Sequence, residues 1–253
     1  MTLVIAHRGW SARQPEQSRA AYVAAIDLAA RTGRRLGLEC DTHFSADDQL
    51  ICLHDLDLAR TGGRPVDARD LTVAQLKGVD IGSWLIGPEA TPAQRELITV
   101  PELFDLVAEA RGRGIDVFAV VETKHPNPCG TDVERALAGL LRERGWVGAD
   151  APVRMISFDP EAVHVFAGLL PDVPRSQLQF PAPIVEGVEA PAISPWLGMV
   201  RRDPELVRRA HEAGLEVHVW TVNDPADIAF CLELGVDAIT TDSPDLALQL
   251  VAD

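Results

Sequence analysis

Glu39 and Asp41 stand two residues apart in GLECDTHF (37–44), a stretch that reads as a buried strand. Side chains alternate along a strand, so the two carboxylates point the same way. Glu122, in VVETK, ends another strand-like run and brings a third carboxylate. Converging acids repel each other and resist desolvation, a conflict that a divalent cation resolves. The donor set is all oxygen, which favours a hard ion, magnesium or calcium with manganese as a third option, over zinc. The competing reading is an ion-pair cluster in which Arg8 and Lys124 neutralise the acids. His7 and His54 end different strand-like runs, and a neutral imidazole beside a protonated one serves as base and acid near neutral pH. Three carboxylates, one divalent cation, Arg8 and Lys124 leave a single net positive charge, suited to a phosphodiester monoanion. Cation and basic side chains would stabilise charge in an in-line displacement while the histidines handle protons. His43 stays open, and His125, His164, His211 and His218 read as structural or surface residues.

These residues need elements to hold them. LVIAH reads as a strand, and SRAAYVAAIDLAARTG as a helix capped by Ser18 and stopped by Gly33. GLECDTHF and a short run, QLICLHD, follow. From Val100 onward strand and helix alternate through DVFAVVETK, VRMISF, SQLQF with its Pro-rich link, AISPW, EVHVWTV and AITTD. About eight strand-helix units imply a TIM (β/α)8 barrel with its active site at the C-terminal strand ends. His7, Arg8, Glu39, Asp41, His54, Glu122, Lys124 and Trp220 all fall at such ends. The rival doubly wound sheet calls for a glycine-rich turn after the first strand, and HRGWSARQPEQS contains no GxGxxG. Residues of about 56–99 break the rhythm and read as an insertion after the second strand, mostly irregular with one helical turn near TVAQLKG, covering the active-site face. The expectation is one catalytic domain over residues 1–253.

Composition narrows the function classes. The chain is 47% apolar, enough for one large core, and carries a formal charge of −15, which argues against nucleic acid or an anionic membrane as partner. Cations are nearly all Arg; Lys77 and Lys124 are the only lysines. The four cysteines, Cys40, Cys52, Cys129 and Cys231, show no CxxC spacing and read as reduced and packed. Leu3–Ala6 is too short for a signal-peptide core, and no run approaches the roughly 18 apolar residues of a membrane span. The expected location is the cytoplasm.

His7-Arg8-Gly9, Pro15-Glu16, Glu39-Cys40-Asp41, His54-Asp55 followed by L-x-R-T, Glu122-Thr123-Lys124 and Trp220-Thr221-Val222-Asn223 occur in an order that resembles the glycerophosphodiester phosphodiesterases over nearly the whole chain. The resemblance implies a TIM barrel whose magnesium or calcium is held by Glu39, Asp41 and Glu122. It makes His7 and His54 general acid and base, sets Arg8 and Lys124 on the phosphate, places Trp220 on the alcohol side and roofs the pocket with the insertion. Ordinary barrel packing is the competing reading of Trp220. The expected reaction is hydrolysis of a small glycerophosphodiester to an alcohol and sn-glycerol 3-phosphate, within lipid and glycerol metabolism. One departure stands out: the family usually reads PENT where this chain has Pro15-Glu16-Gln17-Ser18, and Gln17 is left outside the expected site. A lysophospholipid or other bulky diester is the nearer rival substrate, with WLIG (84–87) and ISPWLGMV (193–200) as candidate apolar lining. A non-catalytic phosphoryl-binding barrel is the more distant one, and the missing histidine or carboxylate that would mark it is not found. Oligomeric state is not legible.

Overall fold

The computed structural model describes residues 2–251. The chain opens with β1 (Leu3–Ala6), α1 (Arg19–Thr32), β2 (Leu36–Phe44) and β3 (Leu50–Cys52). After a stretch of short elements come α2 (Val100–Gly112), β4 (Val117–Thr123), α3 (Asp132–Glu143), β5 (Val153–Ser157), α4 (Pro160–Leu169) and β6 (Arg175–Gln179). The last third holds β7 (Ala192–Pro195), α5 (Leu197–Arg202), α6 (Glu205–Glu212), β8 (Glu216–Val219), α7 (Pro225–Glu233), β9 (Ala238–Thr241) and α8 (Pro244–Leu250). The fold class is the TIM (β/α)8 barrel: with β3 set aside, the remaining eight strands are those of its β/α order.

Ala6–Glu122 forms one compact unit and the rest of the described residues another. In the first unit β2 lies between β4 and β3, and β3 runs antiparallel to it with His43 opposite Ile51 and Thr42 opposite Cys52. Eight of the nine β2 residues are buried, the pattern of a strand covered on both faces, so Glu39 and Asp41 are withdrawn from water with it. In the second unit the order is β1, β9, β8, β7, β6, β5, and the pairs from β5–β6 to β8–β9 run parallel.

Helix α1 starts where its sequence says. The Ser18 hydroxyl accepts from the Ala21 N–H at 3.2 Å, and Gly33 ends the helix in the left-handed region. Its buried face is Ala21, Tyr22, Ala25, Ile26, Leu28 and Ala29, the three-and-four spacing of an amphipathic helix.

The insertion is more ordered than its composition suggests. It holds a small hairpin, Asp57–Leu58 against Arg64–Asp67, and helical turns at Ala59–Gly62, Ala68–Asp70, Val73–Leu76, Ser83–Ile86 and Pro92–Arg95. Elements of two to four residues are too short for periodicity to reveal. Two do carry a legible local signal, the T-x-x-Q capping boxes of Thr72/Gln75 and Thr91/Gln94. Ile51, Leu53, Leu58, Ala68, Leu76, Val79, Ile81 and Leu97 close over one another as a small apolar core. All four cysteines are free thiols. Among the described residues no helix is long and apolar enough to cross a membrane.

Candidate active site

Glu39 and Asp41 leave β2 on the same face, and Glu122 joins them from the end of β4. Each offers an oxygen within 4.8 Å of the others, and all three are buried. Metal–oxygen bonds of about 2.0–2.6 Å place ligand oxygens about 3–5 Å apart, so the spacing suits a hard divalent cation. The electrostatics point the same way. Burial first, then the charges of Asp41 and Glu122, push the Glu39 carboxyl well above the usual carboxylate range, against the opposing pull of Arg8. A divalent ion would relieve this repulsion.

Arg8 realises part of the ion-pair reading. Its backbone N–H donates to Glu39 Oε2 at 2.9 Å, its Nε lies 3.1 Å from Asp41 Oδ2, and its Nη1 donates to Glu16 Oε1 at 2.8 Å. Burial alone would lower this guanidinium, but Asp41, Glu39 and Glu16 hold it above its usual value. Shared between Asp41 and Glu16, it neutralises only part of the cluster.

The turn carrying His7 and Arg8 is tightly held. A Cβ at Gly9 would meet the backbone carbon of Ala21 at 2.7 Å, and φ of +80° is itself the glycine region, so only glycine lets the turn lie against α1. His7 is half-buried there, and its carbonyl accepts from the Ser11 hydroxyl at 2.8 Å.

Gln17, left out by sequence reasoning, is 1% exposed and donates from Nε2 to Asp41 Oδ2 at 2.6 Å. Its Oε1 accepts from the hydroxyl of Tyr22, fully buried on α1, at 2.9 Å. The unusual Gln in place of Asn was the available signal. His43, left open, is buried with Nε2 3.1 Å from the His54 carbonyl oxygen, so it braces the backbone of that residue.

His54 lies just beyond β3, its Nδ1 2.8 Å from Asp55 Oδ1. Arg60, from the insertion, donates through Nε to Asp55 Oδ2 at 2.7 Å and through Nη1 and Nη2 to the two oxygens of Glu16 at 2.7 and 2.8 Å. Burial would raise both acids, yet both sit below their usual values: Asp55 through the bonds from Arg60 and His54, Glu16 through Arg60 and Arg8. Neither Glu16 nor Arg60 was in the expected set.

Lys124 and Trp220 belong to the other unit. Lys124 follows β4 directly, is half-buried, and its carbonyl accepts from Asn127 Nδ2 at 2.7 Å. Trp220 follows β8, donates from Nε1 to the Ser194 carbonyl at 2.7 Å and meets Phe158 edge to face at 5.4 Å. A cavity of about 530 Å³ past the ends of β5 and β6 has an apolar part lined by Phe158, Leu178, Phe180, Ile184 and Val188, and polar groups at Glu161, His164, Gln177, Gln179 and Glu189. The run 193–200 is not the apolar lining expected of it: Ile193, Leu197, Met199 and Val200 are buried as part of β7 and the first turns of α5, which leaves Trp196, edge-on to Phe180. Trp84 and Leu85, of the other candidate lining run, are exposed at 46% and 45%. His125, His164, His211 and His218 each sit against a carboxylate, of Glu134, Glu189, Asp237 and Glu216 respectively.

Comparison with known proteins follows the same lines. The family model described as "Glycerophosphoryl diester phosphodiesterase family" matches residues 7–246. The Mycobacterium tuberculosis "Probable glycerophosphodiester phosphodiesterase 1" is 35% identical over 252 residues, 95% of this chain and 89% of the relative. A Bacillus subtilis glycerophosphodiester phosphodiesterase is 29% identical over 255 residues, 96% of this chain and 84% of its own. Among solved structures, an Oleispira antarctica phosphodiesterase in complex with the product sn-glycerol-3-phosphate superposes with a TM-score of 0.86 at 24% identity, over 100% of this chain and 98% of that one. A Parabacteroides distasonis glycerophosphodiester phosphodiesterase gives 0.80 at 22%, over 99% and 97%. At these identities the two structures speak to the fold.

Proposed function

The chain is an enzyme of the glycerophosphodiester phosphodiesterase family, and we propose that it hydrolyses glycerophosphodiesters to an alcohol and sn-glycerol 3-phosphate. The observation that carries this reading is the buried Glu39–Asp41–Glu122 cluster with Arg8 bonded into it. Three carboxylates around one guanidinium are wrong for an anionic substrate on their own and right for one once a divalent cation is bound. Magnesium or calcium, held by those three residues, would supply a Lewis acid for the phosphoryl oxygens.

The chain's own groups do the rest. Arg8 and Lys124 bind the phosphate, and Trp220 packs against the alcohol portion. His54 and His7 share the proton work: one takes the proton of the nucleophile, which is water or the substrate's own glycerol hydroxyl with water then opening the cyclic phosphate, and the other delivers a proton to the departing alkoxide. With Nδ1 turned to Asp55, His54 presents Nε2 for that exchange, and Asp55 stabilises the imidazolium. His43, bonded to the His54 carbonyl, holds the loop in register.

The test is release of sn-glycerol 3-phosphate from glycerophosphocholine, glycerophosphoethanolamine and glycerophosphoglycerol, with metal removed by chelator and then restored. Loss in chelator and recovery with magnesium or calcium is the expected result. Undiminished turnover in excess chelator would remove the metal from the reaction, and no turnover of any diester would remove the function.

A second reading is favoured by one observation. The cavity near Trp220 has an apolar side that includes Phe180 and Ile184, more than half exposed at 59% and 57%, which suits an acyl chain or another bulky apolar group on the alcohol side. A lysophospholipid turned over faster than glycerophosphocholine would make this the main activity.

A further inference from the structure

We infer that Arg60 is a positioning residue: by holding Asp55 against His54 and sharing Glu16 with Arg8, one guanidinium of the insertion sets both the proton-transfer histidine and the phosphate-binding arginine. The inference rests on the roles given above to His54 and Arg8.

An exposed ion pair ordinarily contributes little, and Arg60 is 41% exposed along its side chain. Its partners set it apart. Glu16 is 14% exposed along its side chain and is gripped by both terminal nitrogens of Arg60, a two-point fork that fixes orientation as well as charge. The third bond, from Nε, goes to a different carboxylate, Asp55, which lies 39 residues beyond Glu16 in sequence and is joined to it through this guanidinium. Each acid then has a second partner inside the site, Arg8 for Glu16 and His54 for Asp55. The chain of contacts runs His54, Asp55, Arg60, Glu16, Arg8, Asp41, with each link at 3.1 Å or less.

The backbone beneath Arg60 is fixed by packing. Leu58 and Thr61 on either side are buried, and a Cβ at Gly62 would meet the Val79 side chain at 2.7 Å. The Trp84 ring lies 5.8 Å from the guanidinium. The insertion's own core therefore aims this side chain.

Removal has two consequences. Glu16 then has only Arg8 and draws it away from the phosphate. Asp55, no longer shared, places its full charge on His54 and retains the imidazolium to higher pH. The charged and titratable groups bonded along this chain include Asp55, Arg60, Glu16, Arg8, Asp41 and His43, and of these Arg60 bonds both Asp55 and Glu16.

The experiment compares wild type, Arg60→Ala and Arg60→Lys on a glycerophosphodiester in saturating metal, with metal affinity by calorimetry. Arg60→Ala should lower kcat about 10- to 100-fold, the range for outer partners of a site. Its acid limb of kcat against pH should move upward, metal affinity should be little changed, and added guanidinium should restore part of the rate. Arg60→Lys, a point charge without the fork, should recover less than half of the lost rate on a logarithmic scale. A kcat for Arg60→Ala within about twofold of wild type overturns the inference. So does a rate loss with an unmoved acid limb and no guanidinium rescue, which would mark a role in folding alone. A wild-type chain that turns over no glycerophosphodiester overturns the proposed function itself and this inference with it.

Discussion

Gln17 Nε2 donates to Asp41 Oδ2 across 2.6 Å while the Tyr22 hydroxyl donates to Gln17 Oε1 across 2.9 Å. A helix side chain thereby fixes the amide, and the amide fixes the rotamer of a carboxylate proposed to hold metal. Outer partners of this kind are worth about 10- to 100-fold in metal affinity. Gln17→Ala should weaken magnesium or calcium binding by that order in calorimetry, and Tyr22→Phe, which frees the amide without removing it, by less. Equal affinities in all three proteins would reduce Gln17 to packing.

Replacing Asp41 by Asn keeps the shape and removes the charge. Metal affinity should fall at least about tenfold, as should activity at limiting metal, with the loss relieved in part by excess metal. Glu122→Gln should behave alike. Undiminished binding in either variant would return the cluster to the ion-pair reading.

The metal-free chain has a pH dependence of definite sign. Glu39 is pushed above its ordinary value by burial and by Asp41, so the folded chain holds its proton more tightly than the unfolded one. That contributes stability below the ordinary carboxylate range and is lost as pH rises through the folded value. Glu16 and Asp55 are pulled down, contribute above that range, and lose their contribution as pH falls through their folded values. Thermal midpoints of metal-free protein should therefore decline toward alkaline pH, and Glu39→Gln should flatten that decline. Added magnesium or calcium should raise the midpoint more at about pH 8 than at about pH 5, because the ion competes with protons for its carboxylate ligands. Equal increments at both pH values would contradict this.

His7→Ala and His54→Ala should each lower kcat by about 10²- to 10⁴-fold in single-turnover assays, the usual range for proton-transfer groups. Asp55→Asn should cost less, about 10- to 100-fold, because the ring keeps a neutral partner at Nδ1 but loses the charge that stabilises its protonated form. Near-wild-type rates in both histidine variants would make the pair structural.

The barrel was legible because its signals are long and local. Ser18 and Gly33 bracket a helix with a clear apolar face, and Glu39 and Asp41 follow from the two-residue period of a strand. Their meeting with Glu122 follows from placing strand ends together, a property of the fold class. Gln17 stood out in the sequence only as a departure from the family loop and Arg60 not as a site residue at all, for different reasons. Gln17 takes φ of +60°, a conformation that sequence does not announce for a glutamine, and from there its amide reaches Asp41. Arg60 acts through carboxylates far apart in sequence, inside an insertion whose elements are too short to show a period. The run ISPWLGMV misled because apolar content alone does not distinguish a core strand from a binding surface; its burial comes from β7 and α5.

The small core beneath the insertion includes Ile51 and Leu53, which belong to β3 and the residue just after its end. The insertion is thus not a detachable cover but is welded to the same strand that leads into His54. A chimaera that exchanges residues 56–99 alone with a relative would leave Ile51 and Leu53 facing foreign partners and would disturb the strand end that carries His54. A graft that keeps this core whole must begin at Leu50, upstream of His54, so the insertion and the histidine proposed for proton transfer are inherited as one cassette.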